Sequence, residues 1–111
     1  MQTLAVISPI TVVQPQGHLN AANAAEFRSK LTAAVTANPN AVVLVDMKQL
    51  DSMDSAGLMT LVSALKLAQG QNQRFSLCSL SPSIRIIFEL TQLNKVFEIF
   101  ESRSAFEATL L

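Results

Sequence analysis

The sequence has one cysteine, no tryptophan and no tyrosine, and its charges balance, with eight Lys and Arg against eight Asp and Glu. A single cysteine closes no intramolecular disulfide, and with only one histidine beside it the chain lacks a zinc ligand set. The balanced charge offers no basic surface for nucleic acid. We therefore expect proteins or small molecules as partners, no metal or other cofactor, and a reducing cytoplasm as the compartment.

Long apolar runs and a secretory leader pattern are also missing. The longest apolar stretch, residues 41–45, is far shorter than the 20 or so residues of a membrane-spanning helix. The amino terminus has no basic segment, and Ser8 and Pro9 interrupt its apolar residues. We expect neither membrane insertion nor signal-peptide export. With 111 residues, 50% of them hydrophobic, the chain can bury one core, and we expect one domain over residues 1–111.

Short runs of β-branched and other apolar residues predict the strands of a sheet. These runs lie at residues 4–7, 10–13, 41–45, 75–80 and 96–100. Only Ser8 and Pro9 separate the first two runs, which predicts an N-terminal hairpin. The third run has no alternation and ends in Asp46, as is typical of a central strand covered on both faces.

Apolar residues at helical spacing predict about four helices. Their expected starts lie near Ala24, Asp54, Ser81 and Ser102. The order of elements predicts an α/β fold with a mixed, mainly parallel β-sheet, in which the N-terminal hairpin supplies the antiparallel pair. Cys78 falls on a predicted buried strand, where a packed and unreactive thiol is expected.

The polar segment between Asp46 and the second helix is the richest candidate site. In open α/β sheets the functional crevice lies beyond the carboxyl ends of the strands. Asp54 is placed to cap the second helix, with Ser55 at its first position, and short oxygen-bearing side chains there fit a simple helix start. The position equally suits a phosphoryl acceptor, because free amides and the helix dipole stabilise a dianion. The residues alone leave both interpretations open.

Gly57 lies in the first turn of the same helix. Alanine would be the better helix former there by about 1 kcal/mol, so a glycine indicates close approach of a backbone or a partner. We expect Gly57→Leu to weaken partner binding more than it weakens folding.

Residues 53–58, Met-Asp-Ser-Ala-Gly-Leu, resemble the signature of the bacterial STAS-domain anti-sigma factor antagonists. Residues 17–20, Gly-His-Leu-Asn, are similar to the Gly-x-Leu-Asp segment of that family, and residues 80–85 and 90–93 are similar to its later helix. The resemblance extends from residue 3 to about residue 109. It implies a single STAS-like domain.

The resemblance also implies a function without enzymatic activity, that of a phosphorylation-switched protein-binding module. Ser55 corresponds to the phosphoacceptor, and the residues that support the site are Asp54, Gly57, Asn20 and Asp51. The unphosphorylated form would bind an anti-sigma factor serine kinase of the GHKL type, phosphorylation would release it, and a PPM-type phosphatase would reset the switch. The expected partner interface comprises His18, Leu19, Ala56, Leu58 and Met59. The protein itself is expected to be a monomer or a weak dimer.

Three residues depart from the family pattern. Asn20 stands where Asp is usual, which removes a negative charge from the edge of the site. Ala56 replaces a frequent second hydroxyl and so eliminates an alternative acceptor. Met59 stands where Gly is common, and it places a flexible apolar side chain near the helix surface, a feature of adaptable binding surfaces.

Two other functions fit part of the sequence. Ser55 and Gly57 match the second half of a serine-hydrolase nucleophile elbow, but Met53 occupies the position of its leading glycine. The only histidine, His18, precedes the serine, whereas that fold places it downstream. A constitutive STAS docking subunit, or an accessory subunit of lipid transport, would share the fold without being phosphorylated. Neighbouring phosphatase or kinase genes would favour the switch, and transporter genes would favour the subunit.

Overall fold

A computed structural model describes residues 9–110 of the chain. Within that range the strands are β1 (Ile10–Val13), β2 (Gly17–Leu19), β3 (Val42–Asp46), β4 (Leu50–Met53), β5 (Phe75–Cys78) and β6 (Glu98–Phe100). The helices are α1 (Ala24–Ala37), α2 (Ser55–Gly70), α3 (Pro82–Leu90) and α4 (Arg103–Ala108), with a 3₁₀ turn at Leu93–Lys95. The α/β class and the four predicted helices are confirmed.

The described strands form two parallel sheets. The main sheet has the order β1-β3-β5-β6, and β2 and β4 form a separate two-stranded sheet. Helices connect the later strands of the main sheet, as parallel neighbours require. The mainly parallel sheet is therefore confirmed. The run at residues 4–7, which would complete the predicted hairpin and make the sheet mixed, lies outside the described residues.

Strand β3 is buried along its whole length and is covered on both faces, as its uninterrupted apolar sequence predicts. Because side chains alternate along a strand, Val43 and Val45 join the larger core, to which α1, α2 and α3 contribute. Val42 and Leu44 join a smaller cluster on the other face, with Cys78 and Phe106 of α4.

The helices begin near the residues that their sequences predict, and they bury apolar side chains that lie at helical spacing. In α1 the apolar residues Phe27, Leu31 and Val35, spaced by four, are the buried ones. Asp54, Ser81 and Ser102 each cap the helix that follows, and each side-chain oxygen accepts a backbone N–H. No helix between residues 9 and 110 has the length and hydropathy needed to cross a membrane.

Several strand predictions need correction. Strand β5 ends at Cys78, two residues early, because Ser79 adopts a left-handed backbone with φ 62°. Strand β6 begins only at Glu98, since Val96 ends the preceding 3₁₀ turn. No strand is predicted between Asp46 and Asp54, but residues 50–53 form β4, which pairs with β2. Strands this short carry no clear alternation, and their pairing joins segments about 30 residues apart.

Candidate functional site

The candidate site is the amino-terminal end of α2. Asp54 caps this helix as predicted: its Oδ1 accepts the Gly57 N–H at 3.1 Å, and its carbonyl accepts the Leu58 N–H at 3.0 Å. Ser55 is the first helical residue, and its side chain is exposed. The Ser55 hydroxyl is thus held at a fixed helix terminus and open to solvent.

The small sheet joins this helix start to the segment before α1. The Asp54 N–H donates to the Leu19 carbonyl at 3.0 Å, so the end of β2 is tied to the first residue before α2. On the exposed side of the sheet, His18 Nδ1 and Ser52 Oγ lie 2.6 Å apart. His18 therefore lies on a strand beside the site.

Asn20 organises the turn between β2 and α1. Its Oδ1 accepts the Ala22 N–H at 2.9 Å, and its own N–H donates to Asn23 Oδ1 at 2.9 Å. The Asn23 amide then donates to the His18 carbonyl at 2.6 Å. The bond that the Asn20 side chain makes uses an acceptor oxygen, which Asn shares with Asp. Asn at this position therefore keeps the turn while leaving the site edge uncharged.

Gly57 provides room for the core beneath the site. A Cβ atom at this position would lie 2.7 Å from Leu19 Cγ and 2.9 Å from Met53 Cγ, both closer than atoms pack. The close approach indicated by the sequence is therefore to two side chains of the same chain. The expectation that Gly57→Leu affects binding more than folding is corrected, because a larger side chain would clash inside the domain.

The family model described as the STAS domain matches residues 2–105. The chain belongs to the STAS-domain family. Its similarity to BtrV of Bordetella bronchiseptica, named among the anti-sigma factor antagonists, is 36% identity over 104 residues, or 93% of this chain and 88% of BtrV. This STAS domain is therefore of the anti-sigma factor antagonist type.

Solved structures share the fold of this STAS domain. A Thermotoga maritima protein assigned to the anti-sigma factor antagonists has a TM-score of 0.83 at 20% identity, covering 91% of this chain and 86% of its own. The antagonist SpoIIAA, unphosphorylated, has a TM-score of 0.74 at 18% identity, with 96% and 92% covered. Phosphorylated SpoIIAA, from Bacillus, has a TM-score of 0.68, also at 18% identity, with 96% of both chains covered. At these identities the structures establish the fold alone.

The residues expected to contact a partner divide into two groups. His18 and Met59 are exposed and Ala56 is half-buried, so these three can touch another molecule. Leu19 and Leu58 are only 4% and 6% exposed, and both belong to the core. Their assignment to the interface is corrected, because α2 turns its Leu58 side inward and β4 and α2 cover Leu19.

Arg28 of α1 is a residue of this surface that the sequence analysis missed. It lines a groove between α1 and α2 together with Ala56 and Met59. The fold thus brings a cation close to the start of α2, where the neighbouring sequence has no Lys or Arg. A local signal existed. No acidic residue lies three or four positions from Arg28, whereas Lys30 has Glu26 four positions earlier and pairs with it at 3.4 Å.

Hydrolytic and redox chemistry have no visible machinery at this site. The only histidine contacts Ser52 and not Ser55. Residues 9–110 contain no cluster of three or more His, Cys, Asp or Glu side chains arranged to hold a metal ion. Cys78 is fully buried, and its burial raises the pKa of its thiol, which confirms the predicted packed residue.

Proposed function

We propose that this STAS domain is an anti-sigma factor antagonist whose binding to a kinase-type anti-sigma factor is switched by phosphorylation of Ser55. The observation that carries the proposal is the exposed Ser55 hydroxyl at the first position of α2, directly after the capping Asp54. SpoIIAA, which shares the fold, exists in unphosphorylated and phosphorylated forms. That precedent supports a phosphorylation switch in this chain.

The switch operates through local charge. A phosphate on Ser55 adds roughly −1.5 to −2 charges at neutral pH, next to the exposed Asp54 and four residues after the exposed Asp51. The helix terminus offsets only part of this charge, because the Gly57 amide already donates to Asp54. A partner packed over the phosphate would have to desolvate it. Unless a cation of the partner faces the phosphate, this desolvation costs several kcal/mol of binding free energy.

The cycle needs two enzymes, and the domain supplies only the acceptor. A serine kinase of the GHKL type transfers the γ-phosphoryl group of ATP to Ser55 Oγ and releases ADP. A PPM-type phosphatase hydrolyses the ester and returns the free hydroxyl and inorganic phosphate. We assign the cycle to the cytoplasm, where the kinase has ATP, and we assign no catalytic step to this chain.

Intact-protein mass spectrometry of the chain purified from its native cell tests the proposal. The samples are wild type, Ser55→Ala and Ser52→Ala. Ser52 is the matched control, because it is also exposed and lies three residues before Ser55. We expect wild type and Ser52→Ala to carry one phosphate in part of the population and Ser55→Ala to carry none. Full phosphorylation of Ser55→Ala would overturn the proposal.

A constitutive docking or lipid-transport subunit is the competing function. It predicts no phosphate on wild type under any growth condition, and copurification with transport proteins that Ser55→Asp leaves unchanged. The mass and copurification measurements together therefore separate the two functions.

A further inference from the structure

A groove runs between α1 and α2 beside the Ser55 site. Its volume is about 310 Å³, and its lining residues are Ala24, Ala25, Arg28, Ala56, Met59, Thr60 and Ser63. Three of these residues are alanines, which let another chain approach the helix backbones closely. Met59 is 56% exposed and adds a flexible apolar side chain to the groove. The groove therefore combines small apolar residues and Met59 with the hydroxyl groups of Thr60 and Ser63.

Arg28 is the only charged residue that lines the groove. It makes no ion pair with any residue between 9 and 110, whereas Lys30, on the same helix, pairs with Glu26. Arg28 belongs to the groove lining and Lys30 does not. A guanidinium group in such a groove is suited to a carboxylate, which it can bind through two parallel hydrogen bonds.

We propose that this groove receives a segment of the anti-sigma factor partner that carries an acidic side chain for Arg28 and an apolar side chain for Met59. The inference rests on the proposed function and extends it from the phosphoacceptor to a second contact surface. Charge complementarity specifies the acid, and the three alanines with Met59 specify the apolar neighbour. Ala56 directly follows Ser55 and lines the groove, so one partner can cover both.

The arrangement also explains how the partner distinguishes the two states of Ser55. An acidic partner segment gains from Arg28 when Ser55 is unmodified. Once Ser55 carries a phosphate, the same acidic segment meets a dianion at the end of the groove, and like charges repel. A carboxylate in the partner therefore makes the response to phosphorylation larger than desolvation alone would make it.

Calorimetric titration with the purified kinase-type anti-sigma factor of the same bacterium tests the surface. The variants are Arg28→Glu and Met59→Ala, and the matched control is Lys30→Glu, which makes the same charge change on the same helix outside the groove. We expect Arg28→Glu to lower affinity about tenfold or more and Met59→Ala about threefold to tenfold, with Lys30→Glu within about twofold of wild type. Thermal unfolding of each variant checks that the fold is retained.

A charge-reversal experiment tests the acid directly. A photoreactive group on Ser63→Cys, with Cys78 buried and unreactive, identifies the partner peptide over the groove. Replacing the acidic residue of that peptide by Arg should restore the binding lost in Arg28→Glu to within about threefold of wild type. Failure of every such reversal, with binding to wild type intact, would overturn the proposed ion pair.

The outcomes distinguish failure of this surface from failure of the function. If wild type binds the kinase and Arg28→Glu binds equally well, the groove proposal is wrong and the proposed function stands. If wild type neither binds the kinase nor carries a phosphate on Ser55, both fall together. If sedimentation shows a dimer that Arg28→Glu dissociates, a second copy of this chain fills the groove, and the partner assignment is overturned.

Discussion

At the amino-terminal ends of β5 and β6 the charged side chains form an ion pair inside the domain, whereas those at the start of α2 form none within the described residues. Arg74 Nε lies 2.7 Å from Glu98 Oε1, and a second nitrogen of the same guanidinium donates to Thr109 Oγ1 at 2.9 Å. The guanidinium carbon also lies 5.0 Å from the centre of the Phe106 ring. One arginine thus joins β5, β6 and α4.

The α2 end contrasts with this arrangement. Asp51, Asp54 and Arg28 are exposed there, and none of them forms an ion pair within residues 9–110. This difference distinguishes charged side chains that stabilise the fold from charged side chains that are available to bind another molecule. Changes at Arg74 and Glu98 should alter stability and leave binding intact, and changes at Arg28 should do the reverse, whereas Asp54 also caps α2.

Phosphorylation of Ser55 is expected to have the largest effect. Partner affinity should fall from unmodified Ser55 to Ser55→Asp to phosphorylated Ser55, because aspartate supplies one charge where phosphoserine supplies up to two. We expect the binding free energies of the unmodified and phosphorylated forms to differ by several kcal/mol. Salt should narrow the differences, since the Debye length falls from about 8 Å at 0.15 M to about 3 Å at 1 M. Titrations at both salt concentrations provide the measurement.

Amide chemical shifts of the same three forms provide the control. Under the charge mechanism, the shifts should change only near the start of α2. Widespread changes along the main sheet, with affinities that do not respond to salt, would show a conformational switch instead.

Gly57→Leu tests the one residue at the α2 end whose role is internal. The new side chain would collide with Leu19 and Met53, and we expect the free energy of unfolding to fall by about 3 kcal/mol. Gly70→Ala is the matched control in the same helix, because nothing lies within 4 Å of its added Cβ, and it should stabilise by up to about 1 kcal/mol. Urea unfolding measures both. An unchanged stability of Gly57→Leu, with partner affinity lost, would restore the partner interpretation of this glycine.

Glu98→Gln tests how much the Arg74–Glu98 ion pair contributes to stability and how that contribution depends on pH. Burial alone would raise the pKa of Glu98, but hydrogen bonds from Arg74 and Ser76 outweigh it, and the pKa lies below its usual 4.5. The ionised carboxylate therefore contributes stability that is fully present above pH 4.5 and is lost as the pH falls through the folded-state pKa. Because this side chain is 45% exposed, we expect a loss of at most about 1 kcal/mol in Glu98→Gln at pH 7.

Thermal unfolding at pH 7 and pH 3 measures this difference, which should shrink at the lower pH. Glu101→Gln is the control, because Glu101 is exposed and forms no ion pair within the described range. A pH-independent difference between Glu98→Gln and wild type would contradict the charge-based account.

The smallest expected effect is on the reactivity of Cys78. This thiol lies under α4 beside Phe106, and burial both raises its pKa and keeps reagents away. Native protein should react with a maleimide far more slowly than the exposed thiol of Ser63→Cys. Arg74→Ala loosens α4 and should accelerate the modification of Cys78 by about a few fold, whereas Arg28→Ala should leave it unchanged. Equal acceleration by both variants would contradict the distinction between Arg74, which stabilises the fold, and Arg28, which does not.

Local patterns predicted most of the elements and the centre of the site. The caps at Asp54, Ser81 and Ser102 were predicted correctly because a helix start depends on a few adjacent residues. The buried β3 strand was also predicted from its own sequence. The β2–β4 pair was missed, because pairing between distant short strands leaves no local pattern. Leu19 was placed on the surface for the same reason, since its burial depends on the β2–β4 pair. Leu58 lies at helical spacing from Leu61 and Leu65, a local pattern that indicates burial, so its assignment to the interface conflicted with its own helix.

The sequence by itself determined the alternation of strands and helices, the capped start of α2 and the position of Ser55 on it, since these follow from the spacing of apolar residues and from nearby backbone amides. Only the tertiary structure decided which residues surround that serine. In the folded domain Gly57 lies against Leu19 and Met53, His18 lies beside Ser52, and Arg28 of α1 lines the groove beside α2. The physical reason is that packing joins residues distant in the chain, and their contacts depend on helix and strand placement that no local spacing encodes.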